Sequence, residues 1–156
     1  MKSTIVITGA SKGIGNFLFN KFSNKKYKIY GTYHQTSSFK LKHNNSIKLD
    51  ITKYNEVSGW VKSVKNDINR IILINCAGTN YNSFAHKAEI KEWYNIISVN
   101  LLGTFNVIRA FLPVMREQEY GRIINMASVV AQTPTPGTSA YAASKSALWG
   151  LAKSIS

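Results

Sequence analysis

The stretch "STIVITGASKGIG", Ser3 to Gly15, decides how the rest of the chain is to be read. Its opening, Ser3 to Thr8, is a short β-branched run and predicts a strand. After the glycine-broken turn, Ile14, Phe17, Leu18 and Phe22 recur at the spacing of one helix face. Strand, glycine turn and helix in direct succession force the backbone to reverse sharply and let it approach a phosphate closely. The free N–H groups at the start of the helix carry the positive end of its dipole, which favours a dinucleotide pyrophosphate there. The spacing is G-x-x-x-G-x-G, through Gly9, Gly13 and Gly15, rather than the G-x-G-x-x-G of the common dinucleotide fingerprint.

Outward from this turn, short β-branched runs alternate with longer amphipathic ones, the pattern of a parallel sheet with crossover helices. The pattern predicts a second strand over Lys28 to Tyr33, a third in "SIKLD" ending at Asp50, and a fourth in "RIILINCAG". The fourth is continuously apolar, so both its faces should be covered. A helix in "NEVSGWVKSV" would turn Val57, Trp60, Val61 and Val64 inward despite Gly59. A long helix is expected from about Glu89 through Leu112, closed by Pro113 or soon after. "GRIINMAS" reads as a fifth strand, "TPTPG" as a loop, and the last helix as starting near Ala140 and still running at Ser156. A helix with no cap and no following strand predicts one α/β domain that is incomplete at its C-terminal end.

Composition narrows the function classes. A chain of 156 residues, 44% of them hydrophobic, can bury one ordinary core. Continuous apolar stretches such as Ile71 to Ile74 are far too short to span a bilayer, and the start lacks the apolar run of a secretory signal; a cytoplasmic location and no membrane partner are expected. Cys76 is the single cysteine, and His34, His43 and His86 form no cluster, so neither a disulfide nor a metal is expected. The net charge of +13 could serve nucleic acid, a membrane surface or an anionic ligand. Residues 1 to 49 hold nine lysines and no acid. These lysines (Lys2, Lys12, Lys21, Lys25, Lys26, Lys28, Lys40, Lys42 and Lys48) are scattered among apolar residues, and no zinc-finger, RNP or basic-zipper pattern accompanies them, so no nucleic-acid partner is expected.

Five further positions carry chemistry. In "YAASKSALWG" Tyr141 and Lys145 stand four residues apart and project from one helix face. A free phenol ionises near about pH 10, and a neighbouring cation favours the phenolate, so this pair suits proton transfer. Asn75, Asn100 and Ser128 follow strands or interrupt an apolar helix, and each alone could be a turn former or a cap. The glycine turn, "LDIT", "NCAG", "VNLLGTF", "NMASVV" and the Y-x-x-x-K frame, taken in order, resemble the short-chain dehydrogenase/reductase family in its compact single-domain form.

The resemblance covers the whole chain. It implies a Rossmann-type doubly wound parallel sheet, here one NAD(P)-binding domain over 1–156 that stops after about five strands and the Tyr-Lys helix. The last strands and the substrate lid of the family would be absent. It assigns Asn100, Ser128, Tyr141 and Lys145 to catalysis. Tyr141 would act as general acid/base and Ser128 would hold the carbonyl. Lys145 would tune Tyr141 and bind the nicotinamide ribose, and Asn100 would hold a proton-relaying water. Gly9, Ser11, Lys12, Gly13, Ile14, Gly15, Tyr33, Asp50, Ile51, Asn75, Ala77 and Gly78 would contact the cofactor together with Tyr141 and Lys145. Asp50 would meet the adenine amine and Ile51 would line its pocket. Cys76 departs from the family's N-N-A-G at the second position.

The 2′ end of the cofactor falls on Tyr33, flanked by Thr32 and His34, where no acid stands, and Lys12 provides a cation; NADPH is therefore expected over NADH. The implied reaction is hydride transfer between the nicotinamide and a ketone, borne by a small molecule or a carrier. The likeness is strongest to 3-oxoacyl-acyl-carrier-protein reductases, whose acidic carrier the basic surface would suit. A homo-oligomer through the long helices is a further implication. The competing expectation is a nucleotide-binding fragment without turnover.

Overall fold

The computed structural model describes residues 3–25, 27–35 and 45–155. Lys2, Lys26, Lys40, Lys42 and His43, weighed above, lie outside them. Five strands, β1 (Thr4–Thr8), β2 (Lys28–Tyr33), β3 (Ser46–Lys48), β4 (Ile71–Asn75) and β5 (Gly121–Asn125), form one parallel sheet in the order β3-β2-β1-β4-β5. The helices are α1 (Gly13–Ser23), α2 (Tyr54–Val64), α3 (Ile90–Ile97), α4 (Thr104–Glu117) and α5 (Ser139–Ser154).

Side chains alternate across each strand, so the sheet feeds two separate cores. On one face Val6, Ile71 and Leu73 meet Val57, Trp60 and Val61 of α2 and Val107, Ile108 and Phe111 of α4, with Leu151 of α5 packed against them. Trp60 makes edge-on contacts with Tyr30 and Phe111. On the other face Ile5, Ile7, Ile29 and Ile74 meet α1 through Phe19, which is fully buried. Burial of one such side chain stabilises the fold by roughly 1.5–3 kcal/mol. Gly31 makes room for it, since a Cβ there would sit 2.7 Å from the Phe19 ring. The apolar run of β4 is therefore shared between two cores, as its composition predicts.

Three element boundaries differ from the expectation. The third strand stops at Lys48, because Asp50 turns its carboxylate back on its own chain. The long helix does not close at Pro113. It continues to Glu117, with Pro113 on its exposed side, because Phe111, Val114 and Met115 around the proline are buried in the sheet-facing core. Between α3 and α4 the backbone widens into a π-helical stretch, Ser98–Gly103. The last helix ends at Ser154, one residue before Ile155, and Ser156 is not among the described residues.

The whole run Ile90–Glu117 is long and apolar enough, by length and composition, to cross a membrane, although no uninterrupted apolar stretch in the sequence is. Apolar residues interspersed with polar ones give it that composition, and its inner side packs on the sheet.

Candidate active site

The strand order reverses between β1 and β4, and at such a switch point the loops leaving the carboxyl ends diverge to leave a crevice. The glycine turn forms one wall. Gly9 has φ +66°, and a Cβ on it would fall 2.7 Å from the Ala77 Cα, so only glycine lets the loops after β1 and β4 touch. A Cβ on Gly15 would strike the Gly9 carbonyl oxygen. Thr8 Oγ1 accepts a hydrogen bond from the Ala77 N–H at 3.1 Å, and the Ala10 N–H donates to the Thr32 carbonyl at 2.8 Å, fixing the turn to β4 on one side and β2 on the other.

Lys12 occupies the N-cap of α1, where no side chain caps the helix and no acid stands in the first turn. Lys12, Gly13 and Ile14 are exposed there, and Ser11 is partly so. An uncapped helix start behind a glycine cradle fits an anionic phosphate group.

Tyr33 ends β2 half-buried. Past β3, Asp50 Oδ1 accepts from the Thr52 N–H at 3.0 Å and the Thr52 hydroxyl at 2.7 Å, while Oδ2 lies 3.7 Å from His34 Nε2. Burial pulls the Asp50 carboxyl upward. The Thr52 hydrogen bonds and the charges of His34 and Lys53 outweigh that and hold it below the usual carboxylate range. Ile51 is 6% exposed, its side chain packed where a Cβ on Gly103 would be 2.7 Å away, so it contributes to the core as much as to any pocket. Asn106 Nδ2 supports this loop from α4 through the Ile51 and Thr52 carbonyls, at 3.0 and 3.1 Å. Nothing in the sequence marks Asn106, because its partners lie more than 50 residues away.

On the far side of the crevice Asn100 is fully buried in the π-helical stretch. Its Oδ1 accepts from the Thr79 N–H at 2.8 Å, and its Nδ2 donates to the Thr79 carbonyl at 2.9 Å and to Ser144 Oγ at 3.1 Å. The side chain thus ties the loop after β4 to α5. Its carbonyl accepts from the Thr104 hydroxyl at 2.8 Å.

Lys145 is 6% exposed, and its Nζ donates to the Met126 carbonyl at 2.7 Å and stands 5.8 Å from the centre of the Tyr141 ring. Burial lowers the Lys145 ammonium from the usual lysine range. Gly78 keeps the space open: a Cβ there would be 3.1 Å from Asn100 Oδ1 and 3.6 Å from Lys145 Nζ.

Ser128 sits just past β5, its Oγ accepting from the Val130 N–H at 3.4 Å. Tyr141 is half-buried on α5. Asn75 reaches along the sheet and donates from Nδ2 to Asn125 Oδ1 at 2.8 Å. The remaining amide oxygen of Asn75 is buried without a hydrogen-bond partner. Cys76, at the crevice floor, has its thiol pushed up to about 11 by burial, against the pull of Lys145.

The structure therefore brings Gly78, Asn100, Lys145 and the Met126 carbonyl together opposite the glycine turn, while His34 and Asp50 lie at the outer end, beyond β2 and β3.

A family model described as short chain dehydrogenase matches residues 3–156. An uncharacterized oxidoreductase of Staphylococcus saprophyticus is 37% identical over 97% of this chain. A 3-oxoacyl-[acyl-carrier-protein] reductase of Haemophilus influenzae is 29% identical over 96% of it. The chain spans 65% of the length of each of these relatives. Among solved structures, ElxO with NADP bound superimposes with a TM-score of 0.87 at 25% identity, over 97% of this chain and 65% of that one.

Proposed function

Because the chain belongs to the short-chain dehydrogenase family, we propose that its residues 1–156 form one nucleotide-binding domain of an NADPH-dependent carbonyl reductase. The observation that carries the reading is the crevice itself: a buried lysine one turn from a half-buried tyrosine, facing an uncapped glycine turn across the switch point of the sheet. When bound, the nicotinamide dinucleotide supplies the hydride that adds to the carbonyl carbon.

The glycine turn holds the pyrophosphate end, with Gly9 and Gly15 keeping the loops close enough for backbone N–H groups to reach it, and Lys12 supplies the cation for the 2′-phosphate. Tyr141 gives its phenolic proton to the carbonyl oxygen as that oxygen gains charge, and the Ser128 hydroxyl donates to the same atom. The Lys145 ammonium, anchored on the Met126 carbonyl, stabilises the phenolate left behind. Asn100 keeps Thr79 and α5 in register around the reacting atoms.

A carrier-borne 3-oxoacyl group is the substrate we favour, supported by the acyl-carrier-protein reductase among the relatives and by the net charge of +13, which would steer an acidic carrier. Such a reductase would work in the cytoplasm. Tyr94, Leu102 and Phe105, exposed on the long helices, would meet a second copy.

A second reading, nucleotide binding without turnover, is favoured by the openness of the substrate side, where Val129 beside Ser128 is 72% exposed. Titration with NADPH and NADH by tryptophan quenching, followed by NADPH oxidation with a 3-oxoacyl thioester, separates the two. The expected outcome is tighter NADPH binding and a kcat that falls about 10²–10⁴-fold in Tyr141→Phe with NADPH affinity kept. Binding without NADPH oxidation would favour the second reading, and an unchanged kcat in Tyr141→Phe would remove Tyr141 from the chemistry.

A further inference from the structure

We propose that Asn106 is a positioning residue for the adenine end of the cofactor, holding the Asp50–Thr52 turn where its carboxylate can meet the base. The inference rests on the nucleotide-binding reading above, with the adenine contact that the family resemblance gives Asp50. Hydrogen bonds inside the turn set its shape. Asp50 Oδ1 accepts from the Thr52 N–H and hydroxyl, the Asp50 carbonyl accepts from the Lys53 N–H at 3.1 Å, and the Asp50 N–H donates to Glu56 Oε2 at 3.2 Å. These partners lie within six positions of one another, so they would form wherever the turn was placed.

Contacts from elsewhere place it in the crevice. The Leu49 N–H donates to the Tyr33 carbonyl at 2.7 Å and ties the entry of the turn to β2. The Ile51 side chain lies against Gly103, and Asn106 Nδ2 donates to the Ile51 and Thr52 carbonyls at 3.0 and 3.1 Å. Ile51 is buried and Thr52 half-buried, so two adjacent carbonyls there need donors. An asparagine nitrogen carries two protons on a short stem and serves both, without bringing a charge beside Asp50. A serine would serve one of them, and a lysine would compete for the carboxylate that the base needs. With Oδ1 taken by Thr52, Asp50 Oδ2 stands 3.7 Å from His34 Nε2, beyond hydrogen-bond reach, and is the oxygen left to accept from an exocyclic amine.

Asn106 stands six positions beyond Asn100 in one continuous helical run, Ile90–Glu117. Asn100 grips Thr79 and Ser144 at the reacting end of the crevice, and Asn106 grips Ile51 and Thr52 at the other. The helical run between them is a spacer of fixed length, so the distance from the Tyr141–Lys145 pair to the adenine acceptor is set by one element rather than by a loop.

The test compares the natural chain with Asn106→Leu, which keeps the volume and removes both donors, and with Asn106→Gln, which keeps the amide. Calorimetry measures binding of NADPH and of its deamino analogue, in which an oxygen replaces the adenine amine. The natural chain should favour NADPH about tenfold. In Asn106→Leu that ratio should fall to about one through loss of NADPH affinity, and Asn106→Gln should restore most of it. Hydrogen exchange at the Thr52 amide, measured without nucleotide, should be about tenfold faster in Asn106→Leu than in the natural chain. An unchanged ratio or an unchanged Thr52 exchange in Asn106→Leu would overturn the inference. So would an equal fall in affinity for both dinucleotides, which marks a general loss of structure. Equal affinity of the natural chain for the two dinucleotides would remove Asp50 as the acceptor of the base, and the inference with it, while the site at the glycine turn stands. Binding of neither would overturn the nucleotide reading and the inference together.

Discussion

Cys76 shows how one side chain reports its surroundings. It stands where the family's N-N-A-G has a second asparagine, on the crevice floor between Gly15 and Lys145. Burial wins over the lysine's charge and pushes the thiol up to about 11. Its folded value lies above the unfolded one, about 8.5, so the protonated thiol contributes stability that is complete below the unfolded pKa. That contribution is lost as the pH rises through about 11. Iodoacetamide labelling of the folded chain should accordingly be slow at pH 8 and climb toward pH 11, while the urea-unfolded chain labels readily near pH 9. A folded-state midpoint below 9 would mean that Lys145, rather than burial, governs this thiol. Asn100 makes the same point in hydrogen bonds: both protons of its amide nitrogen and its oxygen are directed at Thr79 and Ser144, which ties the loop after β4 to α5.

At the level of elements, the glycines divide by what surrounds them. Gly59 in α2 and Gly150 in α5 have no atom within 4 Å of an added Cβ and are exposed. They cost the helices backbone entropy without serving a contact. Gly59→Ala should raise the stability by about 0.5–1 kcal/mol in urea denaturation. Gly15→Ala should lower it by about 1–3 kcal/mol, because the new methyl meets the Gly9 backbone and the turn must open. Equal effects of the two substitutions would contradict the packing described for the turn. Two irregularities in the long helical run have local causes as well. The π-helical stretch places Asn100 against Thr79, and Pro113 is carried on the exposed side by buried neighbours, so neither breaks the element.

Among the described residues the two faces of the sheet are covered unequally: α2, α4 and α5 pack on one, and α1 packs on the other. Ile124 of β5, the edge strand, points away from the face that takes Ile123, and is left 47% exposed. An edge strand with an apolar outward residue is a template for association. Light scattering of the 156-residue chain should therefore show concentration-dependent self-association, and Ile124→Lys should reduce it with little change in unfolding midpoint. A natural chain that stays monomeric at high concentration would show that the charge of +13 suffices to keep the edges apart.

Most of the architecture is legible in the linear order of residues, because periodicity and turn chemistry act over a few positions. The β-α alternation, the glycine turn and the inward Val57, Trp60 and Val61 all follow from local spacing. The boundaries after Lys48, beyond Pro113 and at Ser154 do not, since each depends on what the neighbouring core or side chain does with the backbone. For the candidate site, local spacing places Tyr141 and Lys145 on one helix face and puts glycines in the turn. Only the folded chain decides that Lys145 rests on the Met126 carbonyl, that Asn75 turns toward Asn125, and that Asn106 supports Asp50's loop. It also decides that His34 meets Asp50. Those contacts join residues 16 to 55 positions apart, and the parallel strand order that brings them together is a property of the sheet rather than of any short segment.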